Sequence, residues 1–337
     1  MKKVLVIAEA GVNHNGSLDI AKQLIETAAA AGADVIKFQT FVAEKLVTVL
    51  APKAHYQISE DGQKNQYEML KALELSKADH MELIRHCKKN KIIFFSTAFD
   101  EDSLDFLASL DLGFWKIPSG ELTNLSYLRK IGTFNQEVYV STGMAGMEEI
   151  KCAIDVLIKA GLDRNRIIVM HCNTEYPTPM EDVNLNAMLS IRKELDVRIG
   201  YSDHTLGIEV PVAAVALGAE VIEKHFTLSR SLPGPDHKAS LEPTELRSMV
   251  SAIRNIEKAM GDGVKKPTES ERKNSAIARK SIHLKSELEA GVILREEHLI
   301  MKRPGDGISP MKLEEVVGQK INKRLLADHK LRLEDIA

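Results

Sequence analysis

The stretch GAEVIEKHF (218–226) echoes GADVIKFQ (32–39). In both, Gly, Ala and an acid precede Val-Ile, the β-branched pair that a buried strand favours, and polar residues follow at once. Aligned on that echo, Lys37 falls on Glu223 and Gln39 on His225. Side chains alternate along a strand, so Lys37, Gln39, Glu223 and His225 should point one way and Lys224 the other. Glu, Lys and His are rarely buried without partners, so an apolar strand that runs into them ends either in solvent or in a site.

Eight such runs can be read: VLVIAEAG (4–11), VIKFQTF (35–41), IIFFSTAF (92–99), FWKIPSG (114–120), VYVSTGM (138–144), IIVMHCN (167–173), RIGYSDH (198–204) and VIEKHFT (221–227). Helix-period segments lie between them. In LDIAKQLIETAAAAG, for example, Leu18, Ala21, Leu24, Ile25 and Ala28 share a face and Gly32 supplies a C-cap. Eight strand–helix units predict a (β/α)8 TIM barrel over residues 1–262. A doubly wound open sheet is the alternative, but no G-x-G-x-x-G follows the first run. The polar, Pro-containing stretch 263–275 has the composition of a linker, and 276–337 reads as a compact module too small to bury much surface alone, so it is expected to dock.

The 337 residues carry a formal net charge of −3, which gives no support to a nucleic-acid partner. Cys87, Cys152 and Cys172 show no C-x-x-C spacing and are too few for a disulfide framework, which points to a reducing compartment, the cytoplasm by default. Glu9 interrupts the first apolar run too early for a signal-peptide core, and no segment approaches the roughly 20 apolar residues of a membrane span. Neither export nor membrane insertion is expected.

Nearly every apolar run ends in polar groups, and a barrel gathers those ends on one face, where its active sites lie. His204 and His225, at the ends of neighbouring runs seven and eight, could hold one divalent metal. Each could instead cap its strand or bond a carboxylate, and His171 could be packing. Lys37 and Lys116 with Ser141 and Ser202 could cradle a phosphate or carboxylate, or the lysines could pair with Glu9, Glu121 or Glu223. The stiff loop SLPGPDHKAS (231–240) should hold Asp236 and His237 over the mouth, to meet sugar hydroxyls or to stabilise a turn. A Schiff-base aldolase using Lys37 or Lys116 is a competing reading of the same groups.

Taken in order, IAEAGVNHNGS (7–17), KFQT (37–40), STAFD (96–100), KIPSGE (116–121), STGM (141–144), YPTP (176–179), GYSDHT (200–205), EKHFT (223–227), PGPDH (233–237) and KRPG (302–305) resemble the sialic acid (nonulosonic acid) synthase family. The part from about 276 onward resembles its C-terminal antifreeze-like, or SAF, domain. The resemblance implies condensation of phosphoenolpyruvate with the open-chain aldehyde of an N-acetylated mannose-type sugar, with cleavage of the phosphoenolpyruvate C–O bond. It implies Mn2+ or Mg2+ on His204 and His225. Phosphoenolpyruvate would be bound by Lys37, Lys116, Ser119, Ser141, Ser202 and Thr97, with Glu121 in proton transfer or water positioning. The sugar would meet Glu9, Gln39, Tyr176 and Asp236, and also Arg303, inserted from the partner subunit of a domain-swapped homodimer. Phe38, Lys224, PGPDHKAS and HCNTEYP, with Thr174, depart from the sialate pattern and resemble the bacterial legionaminate synthases, which use a 2,4-diacetamido-2,4,6-trideoxy sugar; N-acetylneuraminate synthesis is the alternative.

Overall fold

A computed structural model describes residues 3–53 and 65–337. Eight parallel strands form one sheet: β1 (Leu5–Gly11), β2 (Val35–Thr40), β3 (Ile93–Ala98), β4 (Phe114–Ile117), β5 (Glu137–Ser141), β6 (Ile167–His171), β7 (Arg198–Asp203) and β8 (Val221–His225). Ladder bonds link them in the order β3-β2-β1-β8-β7-β6-β5-β4, and the flanking strands β3 and β4 lie side by side where the sheet closes. The fold is thus a TIM-like barrel, as the eight runs predict.

Local chemistry explains the alternation of strand and helix. Ser17 caps the helix Leu18–Ala31, and Gly32 ends it in the left-handed region at φ 84°, its N–H reaching the carbonyls of Ala28 and Ala29. Ala21, Leu24, Ile25 and Ala28 are buried against the strands, on the face that the periodicity marks. Inside the barrel a plug of Ile7, Val35, Phe95, Tyr139, Ile168, Met170 and Val221 fills the layer beneath the polar strand ends.

Register then sets what faces the mouth. Glu9 on β1 lies opposite Lys37 on one side and His225 on the other, and Ser202 on β7 lies opposite Glu223. Lys224, between the two inward residues of β8, turns out into the layer between strands and helices. There it is fully buried, bonded to the Asp203 carboxylate and, at 2.7 Å, to the Thr205 carbonyl.

Compact units divide at Asp262/Gly263. Gly263–Ala337 has its own core of Ile282, Leu284, Leu294, Leu299, Ile308, Val316, Ile321, Leu325 and Leu331, around the antiparallel pair β9 (Ser281–Leu284) and β10 (Leu299–Lys302). The stretch with linker composition is corrected in part: Glu269–Ala278 is a helix, because Thr268 and Glu271 form a capping box that outweighs the charged composition. Among the described residues no helix is long and apolar enough to cross a membrane.

Breaking the Lys224–Asp203 pair from one side leaves a buried carboxylate without its cation, a loss of about 3–5 kcal/mol. Lys224→Met is therefore expected to destabilise by that amount in urea denaturation. Adding Asp203→Asn, which keeps an acceptor for Thr205 but removes the charge, should recover most of the loss.

Candidate active site

The C-terminal ends of the strands surround a cavity of about 600 Å3. At its floor stand two ammonium groups and two carboxylates. Lys116 Nζ lies 2.6 Å from Glu223 Oε2, while Lys37 Nζ lies 3.6 Å from Glu223 Oε1 and 3.0 Å from Glu9 Oε2. Lys37 also donates to Thr97 Oγ1 at 3.0 Å, Ser202 Oγ to Glu223 at 3.1 Å and Gln39 to Glu9 at 3.4 Å. All four charged groups are buried. The ion-pair alternative for the lysines is therefore real in this state, and it coexists with a cradle that an incoming anion could enter.

Their environments separate the two acids. Burial pushes Glu223 up, but the charges of Lys116 and Lys37 outweigh it and hold the group at about 2. Glu9 has one ammonium beside it, so burial wins and, with the Glu223 charge adding to it, raises Glu9 to about 7 despite Lys37. One carboxylate stays ionised as the counter-charge, and the other can take or give a proton near neutrality.

Beside this cluster the His204 and His225 rings lie 5.5 Å apart, centroid to centroid. His204 Nδ1 donates to the Asn173 carbonyl, so Nε2 carries the lone pair, and it accepts from Tyr176 Oη at 3.0 Å. Tyr176 stacks on the same ring at 4.0 Å. His225 Nδ1 is buried, without a hydrogen-bond partner among the described residues, 3.7 Å from Asp236 Oδ2. Burial keeps His204 neutral, lowered to about 4, and lowers His225 well below the usual range. Burial likewise raises Asp236 to about 6. Two neutral imidazoles, one with an unpartnered nitrogen and the other with its lone pair shared only with a tyrosine hydroxyl that can give way, and a nearby carboxylate suit a divalent ion with positions left for oxygen ligands. Among the described residues no group of three or more His, Cys, Asp or Glu side chains is assembled for a metal, so further ligands would come from a carboxylate that moves in, from water or from substrate.

The remaining expectations divide. Ser119, Ser141 and Tyr176 line the cavity, and Ser141 Oγ is buried with no partner among the described residues, a donor without an acceptor. Thr174 lines it too, whereas Thr97 stands behind Lys37. Glu121 does not line it: the 3-10 turn Ser119–Glu121 directs this carboxylate to Asn124, 2.7 Å away. His171 faces outward from β6 and donates to the Val183 carbonyl at 2.9 Å. His237 is fully buried away from the mouth, its Nδ1 2.7 Å from Thr227 Oγ1, because the loop turns at Asp236. Arg303 belongs to the second unit, exposed just after β10. Missed in the sequence was an apolar part of the cavity lining: Phe41, Leu46 and Met69 from the β2–β3 connection, with Phe99 from just after β3. Its signal was length: the interval between runs two and three, 42–91, is far longer than one strand–helix unit needs.

A TIM-like barrel with paired lysines, paired acids and two neutral histidines at its strand ends defines a barrel enzyme built for an anionic substrate. More narrowly, the chain belongs to the NeuB family, whose model matches residues 24–265, and an SAF domain model matches 279–337. It is 51% identical to the N,N'-diacetyllegionaminic acid synthase of Campylobacter jejuni, over 98% of this chain and all of that one. It is 46% identical to the synthase of the same name from Legionella pneumophila, over 98% of this chain and 94% of the relative. Among solved structures, the citrate complex of N-acetylneuraminic acid synthetase from Leptospira borgpetersenii is 35% identical, with a TM-score of 0.71 over 81% of this chain and 90% of that one.

Glu9 gives a pH signature. Its folded value, about 7, lies above the unfolded 4.5, so folding favours the protonated form and this group's stabilisation is lost as pH rises through that window. Relative to wild type, Glu9→Gln should therefore gain stability between pH 5 and pH 8, by roughly 1–3 kcal/mol, in denaturation curves at the two pH values.

Proposed function

We propose that this protein condenses phosphoenolpyruvate with 2,4-diacetamido-2,4,6-trideoxymannose to give N,N'-diacetyllegionaminate and inorganic phosphate. The observation that carries this reading is the floor of the cavity, where Lys37 and Lys116 share Glu223 beside the neutral His204 and His225. Near-full-length identity to two legionaminate synthases supports the choice of sugar.

In this reading the two ammonium groups receive the phosphate and carboxylate of phosphoenolpyruvate and exchange part of their pairing to Glu223 for it, while Ser119, Ser141 and Ser202 donate to its oxygens. The new bond joins C3 of phosphoenolpyruvate to the aldehyde carbon. Water adds at C2, the C2–O bond breaks, and phosphate leaves against the lysine charges. When bound at His204 and His225, Mn2+ or Mg2+ supplies Lewis-acid polarisation of the aldehyde oxygen and orients water. Glu9, poised near neutrality, moves the proton, which is the role that Glu121, bonded to Asn124, does not suit. Gln39, Tyr176 and Asp236 bond the sugar. We extend the reading to a homodimer in which Arg303 of one protomer reaches the sugar in its partner; its exposure after β10 leaves it available. All three cysteines are free, as the reducing cytoplasm would keep them.

Phosphate release is the test. It should require both phosphoenolpyruvate and the trideoxy sugar, stop in EDTA and return with Mn2+. Lys116→Ala should lower kcat by about 10²–10³. Release without sugar, a clear preference for N-acetylmannosamine, or a borohydride-trapped pyruvate adduct on Lys37 or Lys116 would each overturn the reading. For the dimer, Lys116→Ala and Arg303→Ala chains should each be impaired alone. Mixed together, they should recover up to about a quarter of the wild-type rate, the share of intact sites expected from random pairing.

A further inference from the structure

The cavity has two chemically distinct kinds of lining, and the proposed chemistry draws on the polar one. Besides the Lys and His cluster with Glu9 and Gln39, the same cavity is lined by Phe41, Leu46, Met69, Leu70, Leu73 and Phe99. These residues form a small apolar cluster separate from the main core of the barrel. Phe41, Met69, Leu70 and Leu73 are buried, and Leu46 and Phe99 are half-buried against them, so the surface they offer is largely enclosed.

The wall is built, not incidental. It consists mainly of two short helices of the β2–β3 connection, Ala43–Leu46 and Gln66–Leu73. The Ala43 N–H donates to Glu74 at 2.6 Å, Lys71 pairs with Glu44 at 2.9 Å and Tyr67 bonds Glu44 at 3.0 Å. Those polar contacts tie the outer faces together and leave the apolar faces to the cavity. The second helix also sits tightly on the loop after β1: a Cβ at Gly16, where φ is 73°, would come 2.4 Å from the Ala72 carbonyl oxygen.

We infer that this wall selects the sugar by its far end, receiving the C6 methyl and the 4-acetamido methyl of a 6-deoxy diacetamido substrate. The inference rests on reading the cavity as the sugar site. With C1 held at the polar floor and the chain passing Gln39, a far end turned toward the β2–β3 connection lies along the wall. A methyl there stays out of water, whereas a hydroxyl loses its hydrogen bonds to water and gains none from Phe, Leu or Met side chains. A pocket of this kind discriminates by about 10–100-fold, since an apolar surface rejects an added hydroxyl only moderately.

Phosphate release decides it, with 2,4-diacetamido-2,4,6-trideoxymannose compared against its 6-hydroxy counterpart on the unaltered full-length protein. The deoxy sugar should show kcat/KM higher by about 10–100-fold. Leu70→Asn and Met69→Gln should each shrink that ratio several-fold or more, chiefly through the deoxy sugar, and Gly16→Ala should shrink it by displacing the helix. Equal kcat/KM for the two sugars in wild type overturns the inference while leaving the proposed reaction intact. A ratio unmoved in either wall variant that still melts cooperatively also overturns it. If neither sugar supports phosphate release, the proposed reaction falls and the inference with it. Should the variants not fold, the comparison of the two sugars on wild type decides by itself.

Discussion

Charge matching at the bottom of the barrel mouth is the constraint on which the rest of the site depends. Two ammonium groups and two carboxylates are buried together there, and removing one partner from such a set costs about 3–5 kcal/mol. Neither lysine can be left alone in the folded protein without substrate. Glu223 meets this requirement by touching both, at 2.6 and 3.6 Å. The arrangement keeps two cations dehydrated and positioned, so that an anion entering the mouth meets charge that has already lost its water.

The same cluster separates two residues of identical chemistry. Glu9 and Glu223 are both buried, but Glu223 has two ammonium neighbours and a hydroxyl donor, whereas Glu9 has one ammonium and a long bond from Gln39. Burial therefore decides the protonation of Glu9 and Coulombic attraction decides that of Glu223. Pairs of acids pushed apart in this way are how one site holds a fixed charge and a movable proton at the same pH.

Strand parity distributes these groups, and it needs a second buried pair to do so. On β8, Glu223 and His225 face the mouth, and Lys224 is left in the apolar layer behind, where Asp203 receives it. Asp203 and Thr205, both bound to Lys224, flank His204. The ammonium behind the barrel thus fixes the backbone on either side of one histidine and sits next to the other. The β2–β3 connection adds an apolar side to the polar site, so that one cavity is lined by both charged groups and methyl-sized surface.

Much of this was legible in the chain. The period-two pattern in VIEKHF set which residues face the mouth, because alternation along a strand is a backbone property that needs no neighbour to define it. Eight apolar runs with polar ends sufficed for the barrel and for the face that carries the site. Short motifs fixed which residue types meet there. What required the tertiary structure was everything decided by what lies across space. Glu121 follows a strand end like the others, but its 3-10 turn commits it to Asn124. His237, next to Asp236 in the same stiff loop, is taken by Thr227. The protonation of Glu9 and the tautomer of His204 depend on a lysine and a carbonyl that are distant in the sequence, and the apolar wall exists only when two helices fold back over β1 and β2. Sequence spacing determines the direction of a side chain from its own strand; partners, and hence charge states and the limits of a cavity, are determined only when separate strands and loops are brought together.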